Sequence, residues 1–62
     1  MTGRILYTNL TGGMVASPDD RRWKFEWRDT IGFGPLDCGH GTRVEFSPDD
    51  RQRALSLRLA ND

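Results

Sequence analysis

Trp23-Lys24-Phe25-Glu26-Trp27-Arg28 is the stretch whose reading decides the fold. Aromatic and charged residues alternate through it without a break. Successive side chains of a strand point to opposite faces, so this pattern makes one aromatic face and one charged face. The two faces are not interchangeable. A slip of one residue would turn Lys24 and Glu26 into the core, and burying two unpaired charges is strongly unfavourable. The reading therefore puts Trp23, Phe25 and Trp27 inside, with Lys24, Glu26 and Arg28 outward.

The same period recurs on the C-terminal side. Val44 and Phe46 alternate with Arg43 and Glu45, and Leu55, Leu57 and Leu59 alternate with Ala54, Ser56 and Arg58. Residues 5–8 and 14–16 give two shorter candidates, making five strands. Seven glycines, three prolines and paired aspartates break the chain at short intervals, which suits strands and turns. No window carries a 3.6-residue apolar period long enough for a helix.

The pentapeptide Ser17-Pro18-Asp19-Asp20-Arg21 returns as Ser47-Pro48-Asp49-Asp50-Arg51. Proline presets φ for a turn and aspartate bonds nearby backbone N–H groups, so the repeat marks two similar hairpins, between strands two and three and between four and five. Paired acids could also hold a cation, but two carboxylates fall short of the 6–8 oxygens calcium takes. Residues 29–42, with Gly32, Gly34, Gly39 and Gly41, form the longest irregular segment.

Size and composition narrow the function. A chain of 62 residues holds a single domain, residues 1–62, with a thin core. One cysteine allows no internal disulfide and fits a reducing compartment. There is no apolar run of transmembrane length and no signal-peptide h-region, so the expected location is the cytoplasm. Nine basic and nine acidic residues cancel. Strong duplex binders usually carry a basic excess, whereas single-strand binding draws part of its energy from base stacking. Cys38-Gly39-His40 offers two metal ligands where structural zinc wants four, and no third residue orients the pair as a nucleophile. Neither a metal, a cofactor nor an enzymatic reaction is implied.

Three strands in a meander, a long loop and a closing hairpin predict an all-β, five-stranded antiparallel barrel of the OB type. Ile5, Met14, Phe25, Trp27, Val44, Phe46, Leu55 and Leu57 are expected inside. At this point the residues resemble the cold-shock domain family. Met1-Thr2-Gly3-Arg4-Ile5-Leu6-Tyr7-Thr8-Asn9 is similar to that family's opening strand, G-x-V-K-W-F-N. Gly12 through Asp20 falls where the family has a Gly-Phe-Gly-Phe strand and a Pro-Asp-Asp turn. Phe33-x-x-Leu36-x-x-Gly39 resembles the loop before strand four, and Val44-x-Phe46 with Arg53-Ala54-Leu55-Ser56-Leu57 the closing hairpin.

The resemblance implies single-stranded RNA or DNA as partner, bound on aromatic residues of strands two and three. Here Gly13 and Val15 stand at the two phenylalanine positions of the first ribonucleoprotein motif, and Glu26 and Arg28 at the Phe and His positions of the second. Tyr7, at the stacking-tryptophan position, and Phe33 keep rings at family binding places. The candidate nucleic-acid-binding residues are therefore Tyr7, Lys24, Arg28, Phe33, Arg43 and Arg58. They imply weak binding with little base preference. Each has a structural alternative: Tyr7 capping the barrel edge, Phe33 sealing its mouth, and the cations pairing with Glu26 and Glu45 across strands. The competing function is a protein-interaction or regulatory module, binding a protein partner or a second copy, that kept the barrel and lost the nucleic-acid face.

Overall fold

The computed structural model describes residues 1–60. Five strands form one sheet: β1 (Thr2–Thr8), β2 (Gly12–Ala16), β3 (Arg22–Glu26), β4 (Arg43–Pro48) and β5 (Ala54–Leu59). Their order is β3-β2-β1-β4-β5, each neighbour antiparallel. The sheet curls into a half-barrel of the small OB-like kind the alternation predicts. Its outer strands approach at a seam, where the Lys24 N–H donates to the Gln52 carbonyl at 2.9 Å and the Ile31 N–H to the Leu57 carbonyl at 2.7 Å. Among the described residues, no helix is long and apolar enough to cross a membrane.

The core holds Ile5, Val15, Trp23, Phe25, Phe33, Val44, Phe46, Ala54 and Leu57. Trp23 and Phe46 meet with ring centroids 5.9 Å apart. Five of the eight expected core residues are in this cluster, and three are not. Met14 is half-buried because Val15, its neighbour, pairs with Ile5 and Trp23 on the inner face. Glycine at position 13 makes that register possible: a Cβ there would lie 2.3 Å from the Tyr7 carbonyl oxygen and 3.0 Å from the Phe25 ring.

Leu55 is displaced by a bulge. Ser56 takes a left-handed φ of 54°, and the β4–β5 register shifts between Glu45 and Ser47. The extra residue lets Ala54 and Leu57, three apart, both face inward, and leaves Leu55 opposite exposed Ser47.

Trp27 lies beyond the end of β3, in a 3-10 turn over Trp27–Asp29. It packs on the core from outside, edge-on to Phe25 at 5.5 Å, and its indole N–H donates to the Asn9 carbonyl at 2.8 Å. Phe33 takes the vacant inner position. Thr30 Oγ1 lies 2.6 Å from the Trp27 carbonyl and 3.0 Å from the Phe33 carbonyl, folding the start of the long loop back over the barrel mouth.

Candidate nucleic-acid interface

The outer face of β1, β2 and β3 is laid out in rows by strand register. One row runs Lys24, Met14, Tyr7 and a second runs Arg22, Ala16, Arg4, continuing to Arg43 on β4. Strands lie ~4.8 Å apart and residues two apart on a strand are separated by ~7 Å, so both rows fit within one small patch.

Arg4 and Tyr7 share this face although they are three positions apart. On an unbroken strand that spacing would send them to opposite sides. The register of β1 against β2 shifts between Ile5 and Tyr7, and the extra residue, Leu6, turns Tyr7 outward. Tyr7 is 50% exposed and presents its ring to solvent beside Met14.

Charge along the two rows is basic. Among the described residues, Arg4, Arg22 and Lys24 make no ion pair; Arg43 lies directly beside Arg4. Two carboxylates border the patch: Glu45 shares the outer face of β4 with Arg43 and lies opposite Thr2, and Asp37 lines a pocket with Arg4 and Arg43. Asp19, Asp20, Asp49 and Asp50 occupy the two Pro-Asp-Asp turns. Glu26, at the patch margin, is held by Arg28 at 3.1 Å and Arg53 at 3.4 Å.

Of the six residues singled out from sequence, Tyr7, Lys24 and Arg43 come together on this face. The other three do not join them. Arg28 belongs to the 3-10 turn after β3 and its guanidinium is turned to Glu26. Phe33 is 9% exposed and has no open face for a base. Arg58 is on β5 directly opposite Glu45, with β4 between it and the patch. Met14 and Ala16, not Gly13 and Val15, are the outward residues of β2. Arg4, Arg22 and Met14 were not singled out from the sequence. The alternation that turns Lys24 outward also turns Arg22 outward, and inward Ile5 turns Arg4 outward; what no period signals is the bulge that brings Tyr7 to the same face.

The remaining polar groups serve the scaffold. Asn9 Oδ1 accepts from the Thr11 N–H, the Thr11 hydroxyl and the Gly12 N–H at 2.9–3.0 Å, closing the β1–β2 turn. The Ser17 hydroxyl, within reach of the Asp19 carboxylate, holds that carboxyl below its ordinary range. Asp49 is lowered in the same direction, chiefly by the Arg53 N–H. Burial, with Asp37 nearby, pushes the Cys38 thiol up and away from thiolate chemistry. Among the described residues, no group of three or more His, Cys, Asp or Glu side chains could hold a metal ion. No protein-family model matches the chain, and no curated protein matches it.

Proposed function

We propose that the protein is a cold-shock-like module that binds single-stranded RNA or DNA weakly, with little base preference, on the outer face of β1–β3. The observation that carries this reading is the pairing of three unneutralised cations, Arg4, Arg22 and Lys24, with an exposed ring, Tyr7, on one sheet face. Cations track a phosphate backbone, and a half-exposed ring stacks any base, because every base has a π-face. One ring supplies one stacking contact of ~1–3 kcal/mol, so affinity is low and mostly electrostatic. The two rows contain no Asn or Gln to read adenine, and arginines engaged on phosphates do not read guanine edges, hence the weak preference. A cysteine without a disulfide partner supports a reducing location, which we take to be the cytoplasm.

The test is a titration with fluorescent homopolymeric oligonucleotides. Binding to all four at low salt, weakened by Tyr7→Ala and by Lys24→Ala but not by Arg28→Ala, supports the reading. Undetectable binding by folded protein refutes it. A protein-interaction module is the second reading, favoured by Leu10 and Leu36, which are 98% and 99% exposed. That reading gains if oligonucleotide binding fails while Leu10→Ser changes self-association.

A further inference from the structure

Beside the second row lies a groove of about 500 Å³, and its walls are fixed in place. Ala16, Leu6, Pro18 and His40 line it, together with Arg4 and Arg43. The His40 wall is pinned to β1. The Gly41 N–H donates to the Ile5 carbonyl at 2.7 Å, and the Ile5 N–H donates to the Thr42 carbonyl at 2.9 Å. Gly41 makes the return with a left-handed φ of 89°. Within that turn the Thr42 N–H donates to the Gly39 carbonyl at 3.1 Å, and the Gly39 N–H to Thr42 Oγ1 at 3.0 Å. The Pro18 wall is pinned to the core, because buried Ser17 accepts the Trp23 indole N–H at 3.1 Å.

A groove that is formed before anything binds loses little entropy on binding. Its chemistry is that of a flat ring joined to an anion. Its lining is largely apolar, with Ala16, Pro18 and Leu6 beside the β1 backbone. An imidazole adds a ring face or a hydrogen bond, and a lining guanidinium is suited to bidentate contact with phosphate. We propose that this groove is a nucleotide subsite, in which one unstacked base of the single strand enters between His40 and Pro18 with its phosphate on Arg4. The inference rests on the single-strand reading and deepens it. It adds a seated nucleotide next to the one stacked on Tyr7, and it gives His40 a role.

The experiment uses a nucleoside 5′-monophosphate, inorganic phosphate and a short oligonucleotide against the whole chain, followed by NMR of the His40 ring and the Ala16 methyl. The expected result is saturable shifts of both signals with the mononucleotide, at concentrations where inorganic phosphate shifts neither. Ala16→Ile fills the groove with a residue suited to a strand. It should weaken mononucleotide and oligonucleotide binding about tenfold. His40→Ala, outside any strand, should weaken both in the same direction if the isoleucine variant proves unstable. Equal response to phosphate and nucleotide overturns the base seat, as does full oligonucleotide affinity in both variants. Mononucleotide binding without oligonucleotide binding keeps the groove and overturns the wider single-strand reading.

Discussion

The inner and outer faces of β1–β3 are made by the same three strands and do opposite work. Inside, Ile5, Val15, Trp23 and Phe25 are almost fully buried in the core cluster, and the one polar group among them, the Trp23 indole N–H, is bonded to Ser17. Outside, Arg4, Tyr7, Arg22 and Lys24 have few partners in the chain itself. The inner face therefore sets stability. The outer face carries exposed charged side chains and a half-exposed ring that the core does not use. Substitutions should separate cleanly: inner ones unfold the domain, and outer ones weaken binding while the fold stays intact.

Phe25→Ala should give the largest effect. Phe25 is 1% exposed and touches the Gly13 backbone, so truncation leaves a cavity costing ~3–5 kcal/mol. That approaches the whole stability of so small a domain, and urea unfolding should find it largely unfolded. Trp27→Ala sharpens the boundary between the faces. Trp27 packs on the core from outside, so losing its edge-on contact and its bond to Asn9 should cost only ~1–3 kcal/mol. A loss as large as that for Phe25 would mean Trp27 belongs to the core after all.

Outer-face substitutions come next. Arg22→Ala or Lys24→Ala should leave the urea midpoint nearly unchanged and flatten the dependence of log K on log salt by about 0.7 each. Arg28→Ala, whose guanidinium is turned to Glu26, should do neither to a comparable extent. Equal flattening by Arg28→Ala would show that the binding face extends past the end of β3.

The smallest effect concerns the Asp49 turn. Its carboxylate accepts the Arg51 and Arg53 N–H groups, each at 2.8 Å, and its pKa is lowered below the ordinary 3.8. A carboxyl lowered in the folded state contributes stability above its unfolded pKa and loses it as pH falls through the folded one. Asp49→Ala should therefore lower Tm at neutral pH, and the deficit should shrink as pH drops below about 4. Thermal unfolding of both proteins across that range checks it.

Strand existence and the charged-out, aromatic-in sense of β3 were legible because burying Lys24 or Glu26 is so costly that only one register survives. What escaped was wherever one residue is inserted. At Leu6 and Ser56 a bulge changes which residues share a face, which hid the juxtaposition of Arg4 with Tyr7 and misplaced Leu55. The repeated pentapeptide shows the same limit. In the first copy the Ser17 N–H bonds to the Arg21 carbonyl at 2.9 Å and Asp20 takes φ 68°. In the second the turn is closed two residues later, by the Asp49 N–H on the Arg53 carbonyl at 3.0 Å, and Gln52 takes φ 60°. Closing the second copy at Ser47 and Arg51 would lay Gln52 opposite buried Phe46. Core composition overrides local turn sequence, and a pentapeptide alone does not carry that information.

The most direct test of the central claim is the salt dependence of single-strand binding by the unmodified chain. Three phosphate contacts from Arg4, Arg22 and Lys24 give a slope of log K against log salt of about −2. Affinity should then fall roughly 20-fold for a fourfold rise in salt, similarly for each homopolymer. A slope near zero, or no binding at low salt by protein shown to be folded, would contradict the assignment of this face to nucleic acid.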